Sequence, residues 1–191
     1  MAATRLRVEG QIHELVLERC VTGPILTAGA GRLGRLLVND SVVQAADAPA
    51  TPAISLIDGD VSLTRCTLMG GAELHRLTAD ESILDGPVSV DDTQRGCVRF
   101  SAWTAGSVLP RRYRSVEIPE SVALFGSRHF GRPDYGQLLS TVPPAIRAGA
   151  EAGSEMGAFA REQHAVKERS LLLKYQEYLP LGLEPVVVFI T

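Results

Sequence analysis

Apolar and polar positions repeat in one motif along the first half of the chain. Residues 15–21 (LVLERCV), 36–42 (LLVNDSV) and 61–67 (VSLTRCT) each begin with apolar steps, pass a polar corner and reach a small Cys or Ser; residues 77–84 (LTADESIL) follow the motif with an imperfect corner. The small residues stand at positions 20, 41, 66 and 82, so the steps are 21, 25 and 16 residues. A repeat of roughly 20 residues that has no helical segment predicts a stacked β-solenoid.

We therefore predict a mainly β fold, a short single-stranded right-handed parallel β-helix over residues 1–100. The handedness follows the general preference for right-handed parallel crossovers. An antiparallel sandwich is the competing architecture, because short strands with turn signals suit it as well. The side chains predicted to point inward are those of Leu15, Leu17, Cys20, Val61, Leu63, Cys66 and Leu68.

The pattern changes after residue 100. Residues 101–144 hold half of the aromatic side chains and several prolines, which predicts an irregular wrap packed on the solenoid. Residues 145–191 predict a helical tail, with short helices at 145–150, from Glu155 onward with Ser154 as N-cap, and at 165–178. The β-branched run at 185–191 predicts a final strand. We expect this tail to be a cap or an oligomer contact, because an open solenoid end exposes unpaired backbone groups.

Composition narrows the functional classes. The formal net charge of the 191 residues is −3, so a nucleic-acid partner is disfavoured. The three cysteines form no C-x-x-C pair, and no histidine has metal-ligand spacing to another histidine or to a cysteine, so we expect neither a disulfide framework nor a metal site. We expect no cofactor. The N-terminus has no apolar run and no stretch approaches a membrane span, so we expect no secretory signal, no membrane partner and a cytoplasmic or particle-associated protein.

Two motifs suggest chemistry but fit structural roles. Residues 29–34 (GAGRLG) match the dinucleotide fingerprint G-x-G-x-x-G, yet a predicted strand follows where that fingerprint needs a helix, so we interpret them as a turn. Asp91 and Asp92 lie among further acidic residues at 80, 81 and 85. Carbohydrate-active β-helix enzymes use such carboxylates as general acid, base or calcium ligands. The alternative is a solvated corner, and no basic residue is placed to complete a catalytic site.

The densest basic cluster is Arg111, Arg112, Tyr113 and Arg114, which Arg128, His129 and Arg132 could join. These residues are our candidate binding site for phosphate, acidic sugar or an acidic protein surface. The alternative is a solvated loop whose arginines pair with nearby carboxylates.

Residues 93–101 (TQRGCVRFS) and 109–114 (LPRRYR) resemble a stretch of uncharacterised bacterial right-handed parallel β-helix proteins. Segments similar to residues 153–159 (GSEMGAF) and 177–184 (EYLPLGLE) follow it in those proteins. Some of them are encoded near phage-tail-like contractile injection systems. The resemblance covers about residues 77–191; it implies the fold and a particle-associated role, and it transfers no catalytic residues.

From these observations we expect a non-catalytic structural or interaction module within a larger bacterial or phage-tail-like assembly. Its partner would be a protein, either a second copy or another component. The alternative is a carbohydrate-active or carbohydrate-binding β-helix of the polysaccharide lyase or hydrolase type, with Asp91 and Asp92 as its catalytic residues.

Overall fold

The computed structural model describes residues 5–45, 52–162, 170, 173–176, 178–180 and 183, and its fold is mainly β. Most of its regular structure is in short strands. The strands are β1 (Leu6–Val8), β2 (Gln11–Glu18), β3 (Val21–Thr22), β4 (Ile25–Thr27), β5 (Arg32–Asn39), β6 (Val42–Gln44), β7 (Ile54–Thr64), β8 (Thr67–Met69), β9 (Ala72–Asp80), β10 (Ile83–Asp85), β11 (Val88–Val90), β12 (Gly96–Arg99), β13 (Ala102–Thr104), β14 (Arg111–Tyr113) and β15 (Val116–Ile118). One short helix, α1 (Pro144–Arg147), and a 3-10 turn (Ala160–Glu162) follow.

The strands form two parallel sheets, and the chain passes repeatedly from one to the other. The first sheet has nine strands, and β2, β5, β7, β9, β12 and β14 are successive neighbours in it. β4 pairs with the first half of β7, β11 pairs with the first half of β9, and β1 pairs with β4. The second has six, in the order β3, β6, β8, β10, β13, β15. All pairs between these named strands are parallel, so the antiparallel sandwich is wrong for the described residues.

The corner between the two sheets has the same geometry each time the chain passes it. Where the chain leaves a strand of the first sheet, it passes a residue with φ between 46° and 50°, and a Cys or Ser comes next. The left-handed residues are Arg19, Asp40, Arg65, Glu81, Phe100 and Arg114. A serine there donates its hydroxyl to the carbonyl two residues earlier, as Ser82 does to Asp80 at 2.8 Å, and it accepts a backbone N–H from the equivalent corner before it, that of Cys66 at 3.0 Å.

This ladder of small residues follows the alignment predicted at positions 20, 41, 66 and 82 and extends it. Ser101 and Ser115 repeat the same bonds, with the N–H of Ser82 donating to Ser101 and the N–H of Ser101 donating to Ser115. The strands therefore continue to Ile118, past the residue 100 at which we expected the repeat to end, and the irregular segment begins at residue 119 rather than 101.

Side chains from both sheets form the main apolar core. Four of the residues predicted to point inward, Val61, Leu63, Cys66 and Leu68, are 1% exposed. Leu15 and Leu17 are half-buried against the same core, and Cys20 is half-buried as well. These three lie in or next to β2 and β3, which are the outermost strands of their sheets, so no described strand covers them on one side.

A second apolar cluster joins the outer surface of the second sheet to residues 119–162. Its buried members are Val42, Met69, Ile83, Ala102, Ile118, Leu124, Phe125, Tyr135, Val142, Ile146 and Met156. The Tyr135 hydroxyl donates to Gln44 at 2.8 Å, and the Gly157 N–H donates to the carbonyl of Glu81 at 2.7 Å. Gly157 has φ +98°, and a Cβ there would lie 2.7 Å from the Thr67 hydroxyl, so glycine allows this close approach.

The helix predicted from Glu155 with Ser154 as its N-cap is wrong. Residues 151–159 form turns and bends, and Ser154 and Glu155 are both 4% exposed. The N–H groups of Met156 and Gly157 bond the carbonyls of Ile146 and Glu81, so they are not available for helical bonds. In place of the helix predicted at 145–150, α1 covers Pro144–Arg147. Of the helix predicted at 165–178, residues 170, 173–176 and 178 are described and helical; the rest, and the strand predicted at 185–191, lie outside the described residues.

Candidate functional site

The terminal strand β14 carries the basic cluster predicted from sequence. Arg111, Arg112, Tyr113 and Arg114 are all exposed, and β12 is the one described strand that pairs with β14. The Arg112 guanidinium lies 4.6 Å above the Trp103 ring, and that of Arg114 lies 5.6 Å from the Tyr113 ring. Phe100 and Tyr113 pack edge to face with centroids 5.7 Å apart. The aromatic rings therefore support the guanidinium groups from one face and leave the N–H donors at their edges free for a ligand.

In the described part of the chain, these guanidinium groups have no carboxylate partner of the kind that the arginines of the other strands have. Among the described residues, no carboxylate oxygen lies within 4.0 Å of Arg111, Arg112 or Arg114. Elsewhere in the sheets, Arg76 pairs with Asp92 at 2.8 Å and Arg99 with Asp80 at 2.5 Å. The interpretation of the cluster as a solvated loop whose arginines pair with nearby acids is thus wrong for these three positions.

The cluster gains no unpaired guanidinium group from the segment that holds Arg128, His129 and Arg132. Arg128 forms a close ion pair with Asp85 of the second sheet, and Arg132 pairs with Asp134 at 3.4 Å. Burial raises the pKa of Asp85, and the Arg128 charge opposes that rise. Both arginines therefore have a partner within the fold, in the irregular segment or in the strand that it covers.

Charges across the outer face of the first sheet alternate in sign from strand to strand. The row in register through β2, β5, β7 and β9 reads Glu14, Arg35, Asp60 and Arg76, and Asp92 completes it. A second alternating row runs along the left-handed corners, where Arg65 lies 2.5 Å from Asp40 and 3.9 Å from Glu81. Alternation places each charge beside opposite charges on the neighbouring strands, which favours this register.

Asp91 and Asp92 have different surroundings although they are neighbours in sequence. Asp92 accepts a hydrogen bond from Arg76, which lowers the pKa of that carboxyl and favours its ionised form. An ionised carboxylate held in an ion pair is a poor general acid. Asp91 is exposed and lines a groove, so the two carboxylates proposed as a catalytic pair take part in different contacts.

The groove beside Asp91 is a shallow depression of about 280 Å³ in the first sheet. Its walls include the carboxylates of Glu73 and Asp91 and the hydroxyls of Ser55 and Ser89, and Ile57, 76% exposed, stands at its edge. Ser55 donates to Glu73 at 3.3 Å. Such a surface can exchange hydrogen bonds with a polar ligand. The sequence reasoning missed Glu73 because an isolated Glu in an alternating strand carries no motif.

The glycine motif at residues 29–34 begins in the turn between β4 and β5, as predicted, but its residues 32–34 already belong to β5, so a strand and not a helix follows the turn. Gly29 has φ +59°, and a Cβ on Gly31 would lie 2.0 Å from the Val8 carbonyl oxygen. The glycines therefore serve the turn and the close approach of neighbouring strands.

In the part of the chain that the structure describes, no group of three or more His, Cys, Asp or Glu side chains is arranged to hold a metal ion. Nor do the described residues include a helix long and apolar enough to cross a membrane.

In comparisons with protein-family models, curated proteins and solved structures, nothing matched this chain. The function must therefore be inferred from the geometry of the chain itself.

Proposed function

We propose that this chain is a short right-handed parallel β-helix that serves as a non-catalytic interaction module in a larger assembly. The two parallel sheets, the register between successive strands and the repeated left-handed corner support one continuous coil. Its hand follows the strong preference of parallel β crossovers for the right-handed form. The bacterial or phage-tail-like nature of the assembly rests on the sequence resemblance.

The contact surface of this module is the end of the coil that carries Arg111, Arg112, Tyr113 and Arg114. One observation carries the proposal: the three guanidinium groups have no carboxylate partner among the described residues, whereas most arginines in the earlier strands do. Exposed guanidinium groups supported by aromatic rings bind carboxylates through charge-assisted hydrogen bonds. The partner is therefore an acidic protein surface.

Binding to immobilised poly-L-glutamate at low ionic strength tests this proposal. The wild-type chain should bind, and the affinity should fall as salt is added. The double variant Arg111→Glu and Arg114→Glu should lose binding. Arg19→Glu is the matched control, because Arg19 occupies the same left-handed corner position as Arg114 at the opposite end of the coil. Equal binding by the wild type and the double variant would refute the proposal, and a preference for duplex DNA over poly-L-glutamate would replace it with nucleic-acid binding.

The groove at Glu73 and Asp91 supports a second candidate, a carbohydrate-binding or carbohydrate-active β-helix. The specific observation is that two carboxylates and two serine hydroxyls line one depression on a strand face. Glycoside hydrolysis needs a pair of carboxyl groups that flank the scissile bond. Incubation with a panel of uronic-acid polymers tests this candidate. Turnover that is lost in both Asp91→Asn and Glu73→Gln would overturn the non-catalytic proposal, and absence of turnover across the panel would leave the groove without a catalytic role.

A further inference from the structure

On the side away from β12, the backbone edge of β14 has no strand partner among the described residues. Tyr113 accepts a hydrogen bond from the N–H of Phe100 at 3.0 Å, so its carbonyl faces β12 and the earlier strands. In a parallel ladder, successive residues direct their N–H and C=O groups to opposite sides of the strand. Arg112, the neighbour of Tyr113, therefore directs both groups away from β12. No strand of the described residues pairs with β14 on that side.

Two arginines on this edge end rows without an acidic partner. In the corner row, Asp40, Arg65 and Glu81 alternate in sign, Phe100 carries no charge, and the row ends at Arg114 with no described acidic residue beyond it. Arg111 ends a second row, in register with Cys97 of β12. An added strand with carboxylates opposite Arg111 and Arg114 would give these two guanidinium groups the ion pairs that the arginines of the earlier strands have.

Inward-facing charges make this edge selective. Arg112 is in register with Val98, which is fully buried, so its position belongs to the inner face of the sheet. In the second sheet, Glu117 is in register with Trp103. Charged residues at inward positions of an edge strand discourage the addition of an apolar strand. A strand with a polar or acidic residue opposite Arg112 meets no such penalty, because that side chain can hydrogen-bond to the guanidinium.

We propose that the free edge of β14 accepts an extended acidic segment of a partner protein as an additional parallel strand. Two carboxylates of that segment, three residues apart, lie opposite Arg111 and Arg114, and the second occupies a left-handed corner like the one at Arg114, since side chains three apart on a fully extended strand face opposite sides. Its backbone bonds the N–H and C=O of Arg112, as in other β-augmentation complexes. This inference rests on the proposed function, because it assigns the partner chemistry to the same basic end.

Synthetic peptides test the strand geometry directly. The probe is an extended hexapeptide with aspartates at positions 2 and 5, and its binding to the full-length chain is measured by calorimetry and by amide exchange. Position 4 would lie opposite Tyr113 and donate its N–H to the carbonyl of Arg112, whereas the N–H at position 3 would point away. N-methylation at position 4 should weaken binding by about tenfold or more, the loss expected for one well-formed hydrogen bond in a short contact. N-methylation at position 3 should leave the affinity unchanged.

Protein variants and exchange rates complete the test. Arg111→Glu and Arg114→Glu should each weaken peptide binding, while Arg19→Glu should not. Bound peptide should slow the exchange of the Arg112 amide. If both N-methylated peptides bind as well as the parent, the contact is made by side chains and the strand inference is wrong, although binding to poly-L-glutamate would still support the proposed function. The inference also fails if no peptide binds, if the Arg112 amide is already protected in the free chain, or if a sulfated polysaccharide binds without protecting that amide.

Discussion

Substitution of Ser82 tests the hydrogen-bonded ladder that aligns the corners. Ser82 is fully buried, its hydroxyl donates to Asp80 at 2.8 Å, and it accepts the N–H of Cys66 at 3.0 Å. Ser82→Ala removes the acceptor of a buried N–H and the donor to a carbonyl. A buried backbone group left without its partner costs about 1–3 kcal/mol. We therefore expect Ser82→Ala to lower the free energy of unfolding by about 2 kcal/mol, within that range.

The chain supplies a conservative comparison, because cysteine occupies this corner position at residues 20 and 66. The Cys66 thiol makes the same two donor contacts as the Ser82 hydroxyl: it donates to the carbonyl two residues earlier, Thr64 at 3.3 Å, and to Val38 of the preceding strand at 3.1 Å. Ser82→Cys should cost less than Ser82→Ala. Ser62→Ala, on the outer face of β7, is the control and should change stability little. Urea unfolding at constant m value is the assay. An equal loss in the alanine and cysteine variants, or no loss in either, would refute the ladder as a source of stability.

Three further predictions concern the core, the buried acid and the tail. Leu63→Asp places an unpaired charge at a position that is 1% exposed and should prevent folding, seen as loss of the far-ultraviolet β signal; Ser62→Asp, one residue away and on the outer face, should fold. Burial raises the pKa of Glu155 from 4.5 to about 7; the Arg147 charge opposes this rise and the Glu162 charge adds to it. The stability that protonated Glu155 contributes should therefore be fully present below pH 4.5 and be lost as the pH rises through 7. Glu155→Gln should remove that fall and stabilise the protein at pH 8 by up to about 3 kcal/mol in thermal and urea unfolding. Deletion of residues 185–191, which lie outside the described residues, should lower the melting temperature, since their β-branched run predicts a paired strand; an unchanged melting temperature would contradict this.

The corners at residues 20, 41, 66 and 82 were predictable from the sequence, but those at residues 101 and 115 were not. Cys20, Ser41, Cys66 and Ser82 each follow a clear apolar alternation, and steric demands at the corner explain the small residue. Ser101 lies before an aromatic residue, Trp103, which suggested an irregular wrap. Trp103 nevertheless lies in β13, in register with Leu84 of β10, and is partly buried against the main core.

The candidate site was predictable as a cluster but not as an edge. Composition alone identified residues 111–114 as basic, but only the register shows that Arg112 takes a core position and that Arg111 and Arg114 end two rows. The tail was misread for a related reason. The helix propensity of Glu155, Met156 and the residues around them favours a helix. However, Gly153 and Gly157 adopt positive φ and let the chain follow the second sheet. Tertiary contacts decided that segment rather than local propensity.

The proposed binding edge exists only if β14 is the last strand of one in-register stack that starts at β2. Val16 and Arg111 occupy the same row at its two ends, joined through Leu37, Ser62, Thr78 and Cys97. Five strand spacings of about 4.8 Å predict a backbone separation of about 24 Å. Electron paramagnetic resonance between spin labels at Val16→Cys and Arg111→Cys, with the native cysteines replaced by serine, measures it. A single narrow distance near that value, shortened by about 4.8 Å when the first label moves to Leu37→Cys, is the expected result. A broad distribution, or no shortening, would contradict the stack and with it the binding edge.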